Sequence, residues 1–450
     1  MSEYKLTVGL EIHAELNTKT KMFCDSRNDA DEKRPNVNIC PVCLGYPGTL
    51  PVINKEAVSS VLRLGVAVNG ELADYTEFDR KNYFYPDIPK GYQISQYKFP
   101  LVQGGQLAGV KITRIHLEED TAKSTHAGDG SLLDFNRAGV PLMELVTEPV
   151  IHDAGTAAKF AKELQLTLTY LGIAHANMEK GEMRVEANIS VSKGEKLGTK
   201  VEVKNLNSFK AVEKAIQYEY ERQISLLDRG EGVVQETRGW DENKSETFSQ
   251  RKKEESHDYR YFGDPDLPKL FVSEIEGFDK ETLKKSLPEL PEEKRARYRA
   301  SFELKEEDIE IYVQAKEWGN LIEETAAILR DVKMTQLASN YITSDLKEVI
   351  NAESLAEVIK MISLGEISSR GAKDILKIIQ TDGGDVRKIA EDKNLLQLSD
   401  REELKKIVDE VLSEKKDAPI NFLVGQAMKK SGGRANPVVL QELFLEVLNS

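Results

Sequence analysis

Glu11 and His13 stand two residues apart in a stretch where Tyr4, Leu6, Val8, Leu10 and Ile12 alternate with Lys5, Thr7, Gly9, Glu11 and His13. A period of two is that of a half-buried strand, so the carboxylate and the imidazole leave one face together. Glu118, Glu119 and Asp120 follow a strand-like run at 111–117, and Glu186 alternates with Arg184 and Asn188 among Met183, Val185, Ala187, Ile189 and Val191. Hard cations such as Mg²⁺ take carboxylate oxygens on a rigid frame and are commonly completed by substrate phosphates. The pattern suits a metal-nucleotide site. Singly, each feature also reads as ordinary structure: Glu118 to Asp120 as a solvated acidic turn, His13 as a strand histidine.

Cys40-Pro41-Val42-Cys43 is a C-x-x-C knuckle, and Cys24 lies sixteen residues upstream. The trio offers three of the four ligands of a structural zinc. A thioredoxin-like redox pair is the weaker reading, because Pro41, Gly45, Pro47 and Gly48 leave no strand-then-helix setting. Bound zinc and plain reduced thiols both stay open. Residues 78–96 are dense in aromatic and basic side chains, which can stack on bases and bind phosphates or simply pack. No G-x-x-x-x-G-K-[ST], G-x-G-x-x-G after a strand, or G-x-S-x-G occurs, which disfavours P-loop, Rossmann and serine-hydrolase chemistry.

The elements that must position these groups form a mixed first part and a helical second part. Of 15 prolines, 12 precede Leu290, as do all three cysteines, and the composition changes at Pro288 and Pro291. Two prolines so close deny a helix its donors and its local geometry, so a domain break belongs there. Beyond it, Leu355, Val358, Ile359 and Ile362 keep helical spacing, as do Leu404, Ile407, Val408 and Val411, and Leu440, Leu443, Phe444 and Val447. A further division is expected near 392–399, before a capping-box-like start at Ser399-Asp400-Arg401-Glu402. Residues 183–191 and 201–204, joined by a turn at 193–196, predict a hairpin with one charged face.

The chain has 450 residues, of which 31% are charged and 40% apolar, and no run approaches the roughly 18–20 apolar residues that span a bilayer. No basic and then apolar leader opens it, and three cysteines fit a reducing compartment, so a soluble cytosolic protein with no membrane role is expected. The net charge of −14 speaks against nonspecific nucleic-acid binding overall, although Lys429, Lys430 and Arg434 around two glycines form a local basic loop.

Several ordered blocks resemble the B subunit family of the aspartyl/glutamyl-tRNA(Asn/Gln) amidotransferases. They are Val-Gly-Leu-Glu-Ile-His at 8–13, residues 78–96, Arg-Ile-His-Leu-Glu-Glu-Asp at 114–120 with Lys-Ser-Thr-His at 123–126, Asp-Phe-Asn-Arg at 134–137, residues 183–190, Lys-Asn-Leu-Asn-Ser at 204–208 and Asp-Tyr-Arg-Tyr-Phe at 258–262. The resemblance covers essentially the whole chain. It implies an α+β fold: a cradle domain at 1–290 with a glutamine-synthetase-like catalytic sheet, an all-α helical domain at 291–397 and a small tRNA-binding tail at 398–450. It also implies ATP-dependent phosphorylation of the side-chain carboxylate of Glu-tRNA(Gln) or Asp-tRNA(Asn), followed by displacement of phosphate by ammonia.

By the same resemblance, Glu11, His13 and Glu119 hold magnesium, Glu118, Glu186 and Asn188 belong to the catalytic set, and Lys81 and Tyr83 line the chamber. Lys81, Arg184 and Lys204 would contact the nucleotide, and Cys24, Cys40 and Cys43 form an incomplete zinc site. Three departures from the family's usual residues stand out: Ser26 where a fourth cysteine is common, Glu186 where Asp is common, and Gly263-Asp264 after Phe262. There is no room between 262 and 291 for the inserted domain of the related archaeal E subunit. There is also no amidase nucleophile signature, so ammonia is expected from a glutaminase A subunit, with a small C subunit completing a heterotrimer. The alternative is a noncatalytic tRNA-docking scaffold, which would need none of these charged groups on polar strand faces.

Overall fold

The computed structural model describes residues 4–194, 196–252, 259–398, 400–415 and 418–448. Glu195 of the expected turn, Asp258 of the Asp-Tyr-Arg-Tyr-Phe block and Ser399 of the expected helix start lie outside them. The architecture is α+β, and the chain divides into two compact units, Met1–Leu290 and Pro291–Ser450. The division falls between the two closely spaced prolines.

The first unit is built on a ten-stranded sheet, almost wholly antiparallel. At its centre lies strand Lys5–Glu15, flanked by Pro141–Thr147 on one side and Met183–Ser192 on the other. Strand Val110–Glu119 follows beyond Pro141–Thr147, and Val201–Leu206 beyond Met183–Ser192. Strict alternation gives the sheet two unlike faces. Leu6, Val8, Leu10 and Ile12 point into a core with Ile115, Leu117, Met143, Leu145, Val185 and Ile189. Helices Ala154–Tyr170 and Phe209–Asp228 contribute Phe160, Leu164, Leu168, Val212 and Ile216 to that core. Asp153 and Ser208 cap their first turns by accepting from the N–H groups of Thr156 and Ala211. With one face filled by aliphatic side chains, a one-residue slip would bury the charged set, so register is tightly specified.

The other face carries the polar residues of the same five strands. Cross-strand register aligns Glu11 with Glu186 and His13 with Arg184 on one side, and His13 with Glu144 on the other. It then aligns Glu144 with His116. Strand Val110–Glu119 continues through Glu118 and Glu119, so these residues are strand positions rather than an acidic turn. The hairpin 183–206 forms with a bulge between Val185 and Ala187. A small sheet of strands Asp79–Asn82, Tyr92–Ser95 and Phe262–Gly263 is fastened to the end of Val110–Glu119: Ser95 Oγ donates to Glu118 at 3.2 Å and the Ile94 N–H to Glu119 at 2.9 Å.

The second unit is helical. Leu355, Val358 and Ile359 are buried on helix Ala352–Ser363, while Ile362 is half-buried and Met361 takes a core place. Leu404, Val408, Val411, Leu440, Leu443 and Phe444 form a separate apolar cluster. The stretch expected to divide this part joins both sides of it, since Leu396 pairs with Ile367 and Leu398 with Ala435. Helix Arg401–Lys415 is capped by Asp400, whose Oδ1 accepts from the Glu403 N–H at 2.9 Å. None of the described helices is long and apolar enough to cross a membrane.

Within this unit, Glu323 collects Lys294 at 3.1 Å, Arg297 at 2.9 Å and the Tyr298 hydroxyl at 2.6 Å. Burial works against its charge, but Tyr298, Arg297 and Lys294 outweigh it and hold the carboxyl below its usual range. A carboxyl depressed in the folded state contributes stability above its unfolded value of 4.5, and that stability is lost as pH falls through the folded value. Glu323→Gln should therefore cost about 1–2 kcal/mol at neutral pH, given its partial exposure. In denaturant unfolding of the helical unit's signal from pH 7 to pH 3, the gap between variant and wild type should shrink below pH 4.5. A gap that stays constant across that range would show that the carboxylate's charge is not what matters.

Candidate active site

Glu144 is the hub of the polar face. It is 6% exposed and stands on a strand, Pro141–Thr147, whose other residues are apolar or Thr. One of its oxygens, Oε2, lies 3.4 Å from His13 Nε2 and 3.3 Å from His116 Nε2, and the other lies 3.5 Å from an Arg114 nitrogen. Burial alone would raise its carboxyl, yet the imidazoles of His116 and His13 hold it well below the usual carboxylate range. His13 also meets Glu118 at 3.5 Å. Burial pushes the His13 imidazole down, but Glu144, Glu118 and Glu11 together lift it to about 9, so a cation that takes this imidazole as a ligand must displace its proton.

Glu11 shows the opposite imbalance. Burial, then the neighbouring carboxylates Glu144 and Glu186, push it up to about 7, with His13 and Lys204 only partly compensating. Like charges crowded with too little counter-charge are what a bound cation relieves. The ligand atoms of Glu11, His13 and Glu144 lie within 4.8 Å of one another, as do those of His116, Glu118 and Glu144. Two carboxylates and an imidazole, with Glu11 and His13 only half-buried, fit a hard divalent cation that keeps water and substrate ligands.

The sequence expectation placed Glu119 on this cation; the structure places it elsewhere. Successive residues of a strand face opposite sides, so Glu118 joins His13 while Glu119 turns to the far side, where it accepts from Lys90 Nζ at 2.5 Å and the Ile94 N–H. Glu144 was overlooked because it sits outside any charged motif. Its signal was a single carboxylate in an apolar strand, a residue that stays charged in a core only with partners.

The other expected residues surround this centre. Lys81, on strand Asp79–Asn82, is held positive despite burial by Glu118 and Glu144, and its ammonium lies 5.3 Å from the Tyr259 ring centroid and 5.9 Å from that of Tyr83. The Tyr83 hydroxyl donates to Gln93 at 3.1 Å. Lys204 pairs with Glu186 at 2.6 Å, and Arg184 with Asp120 at 2.9 Å. Asn188 Oδ1 is buried with no hydrogen-bond partner among the described residues.

Away from this face, the thiols of Cys24, Cys40 and Cys43 converge within 4.8 Å. Ser26 Oγ lies 3.7 Å from Cys43 Sγ, whereas Asp25 is exposed. The sequence reading missed Lys21, a fully buried lysine whose Nζ lies 3.7 Å from Cys43 Sγ and donates to the Phe135 carbonyl. The hydrogen bond with Cys24, helped by Lys21 against the cost of burial, pulls Cys43 down to about 4.

Comparison with known proteins now decides the family. Residues 6–276 match the GatB/GatE catalytic domain and residues 313–448 the GatB domain. The chain belongs to the B subunit family of the aspartyl/glutamyl-tRNA(Asn/Gln) amidotransferases. Relatives of that name from Gloeothece citriformis and Persephonella marina are 43% and 42% identical, over 98% and 99% of this chain and 97% and 100% of theirs. That of Carboxydothermus hydrogenoformans is 39% identical over the whole of this chain and 99% of its own. The polar face, with Glu11, His13, Glu118 and Glu144, lies inside the stretch that matches the catalytic domain.

The two glutamates give opposite expectations. Glu144→Gln should weaken Mn²⁺ binding, followed by electron paramagnetic resonance of the free ion, at least about tenfold, because it removes a ligand and frees both imidazoles. Glu119→Gln should leave that affinity within about twofold. Equal losses in the two variants would place both carboxylates on the ion and contradict this assignment.

Proposed function

We propose that this protein activates and amidates the side-chain carboxylate of glutamate carried on tRNA(Gln) or aspartate carried on tRNA(Asn). The carboxylate oxygen attacks the γ-phosphorus of ATP and ADP leaves; the nitrogen of ammonia then attacks the activated carbonyl carbon, inorganic phosphate leaves, and the amide remains. The observation that carries this reading is the cluster of half-buried Glu11 and His13 with buried Glu118 and Glu144 beneath Lys81, in a stretch matching a catalytic domain. Magnesium held by Glu11, His13 and Glu144 would supply the positive charge that offsets the transferring phosphoryl group.

The chain's own residues supply the rest. Lys81 offers a fixed cation to an incoming carboxylate and phosphate, so little reorganisation is needed as charge shifts. The tyrosines around Lys81 exclude water from an activated intermediate that water would hydrolyse. Asn188 Oδ1 is an unused buried acceptor beside the site, suited to an N–H or O–H of a bound ligand. A glutaminase A subunit and a small C subunit would complete the assembly and deliver ammonia, in the cytosol where aminoacyl-tRNA is made.

Two further assignments belong to this reading. Cys24, Cys40 and Cys43 hold a structural zinc, with Lys21 offsetting the thiolate charge. The C-terminal helices dock the tRNA body through Lys429 and Arg434; Lys430 is engaged by Glu414 at 2.8 Å and Glu410 at 3.3 Å, so it contributes less than its sequence position suggested.

The decisive assay supplies the purified complex with ATP, ammonium chloride and each misacylated tRNA. Amide should form on at least one, and Lys81→Ala should reduce the rate at least about a hundredfold. Combined Lys429→Ala and Arg434→Ala should raise KM for tRNA and make its salt dependence shallower by roughly two counterions. A wild-type complex that binds tRNA but forms no amide would support a scaffold instead. Elemental analysis of chelator-free protein should find about one zinc per chain, lost in Cys43→Ser; metal-free wild-type protein would leave three reduced thiols as the correct description.

A further inference from the structure

Five tyrosines form a connected series, of which Tyr83, Tyr259 and Tyr261 neighbour Lys81. Tyr85 meets Tyr83 at 5.9 Å between ring centroids, Tyr83 meets Tyr259 at 5.6 Å, Tyr259 meets Tyr261 at 5.9 Å, and Tyr261 meets Tyr97 at 4.4 Å. The first three contacts are edge-to-face, which is how rings pack when they fill space. The last differs: Tyr97 and Tyr261 lie parallel, 9° apart. Tyr261 is half-buried beside Lys81, whereas Tyr97 is 59% exposed, so the stack leads from the chamber out to solvent.

The exposed ring is held on a rigid mount. Asp79 is buried, and one of its oxygens accepts from the backbone N–H of Tyr97 at 2.9 Å and of Lys98 at 3.3 Å. The preceding Gln96 donates to Thr76 at 2.6 Å and accepts from the Leu117 N–H at 3.0 Å. Two buried polar side chains thus fix a segment whose own next side chains, Tyr97 and Lys98, face water. Such an aromatic loses little freedom when a second flat ring settles on it, and the adjacent lysine suits a phosphate.

We infer that Tyr97, backed by Tyr261, is a stacking platform for an unpaired base at the 3′ end of the aminoacyl-tRNA. This rests on the function proposed above and deepens it. The amino acid is esterified to the terminal nucleoside, so when its side-chain carboxylate reaches Lys81 the base must lie outward of it. That is where the parallel tyrosine pair emerges. The base of ATP is the competing occupant, but a nucleotide whose phosphates meet the buried cation cluster has no need of a platform on the rim.

The test uses the complete complex with ammonium chloride as nitrogen source, so that glutamine hydrolysis does not enter. Tyr97→Ala should raise KM for misacylated tRNA by at least about tenfold, within the roughly 5- to 150-fold that removing a stacked ring costs, and leave KM for ATP within twofold. Tyr97→Phe keeps the ring and should restore wild-type KM. A tRNA carrying 2-aminopurine as its terminal base should be quenched on binding wild type and Tyr97→Phe, but not Tyr97→Ala. Unchanged KM and quenching in Tyr97→Ala, or a rise in KM for ATP in place of tRNA, would overturn the inference while leaving the amidation reading intact. A wild-type complex that amidates no misacylated tRNA would remove both.

Discussion

The buried charge of Glu144 is the constraint around which the site is arranged. A carboxylate in an apolar strand at the centre of a ten-stranded sheet is costly to desolvate, and it is tolerated because two imidazoles and a guanidinium converge on it. Those partners come from two different strands, one on each side. Cross-strand register puts His13 and His116 level with it. The same register that satisfies Glu144 therefore also sets the distance between Glu11, His13 and Glu118, and the geometry of the candidate cation site follows from the requirement to keep one carboxylate charged.

The small covering sheet has a related logic. Glu118 and Glu119 are neighbours in sequence but serve opposite sides of the strand. Glu118 faces the imidazole and Glu119 anchors the strand Tyr92–Ser95 through Lys90 and the Ile94 N–H. That anchorage joins strand Asp79–Asn82 to the main sheet, and with it Lys81 comes over the acidic cluster. A substitution at Glu119 thus acts on the site by moving its cover, and one at Glu118 or Glu144 acts on its charges directly. The cysteine cluster repeats the pattern on a smaller scale, since buried Lys21 supplies the positive charge that converging thiols require.

Much of this was legible in the sequence because it depends on local periodicity. The alternation of residues 4–13 and 183–191 set two strands and their polar faces, the proline pair at 288 and 291 marked the division of the chain, and the spacing of Leu404, Val408, Leu440 and Phe444 identified buried helix faces. Glu11 and His13 share a face for the same reason: in a strand, i and i+2 project together whatever the partner strands are. Cys40 and Cys43 likewise meet because a C-x-x-C turn can hardly keep them apart.

What tertiary structure alone decided is which residues from separate strands meet. Whether Glu118 or Glu119 faces His13 depends on the phase of Val110–Glu119 relative to Lys5–Glu15, and that phase is set by packing of Ile115 and Leu117 into the core, with a bulge near Thr147 shifting the register. A one-residue shift reverses every assignment on a strand, so a resemblance that names Glu119 does not carry the phase that puts Glu118 beside His13. The partners of Glu144, the role of Lys21 and the parallel pairing of Tyr97 with Tyr261 were beyond reach for a further reason. Each matters through a partner more than 20 residues away, and no short-range pattern records such a contact.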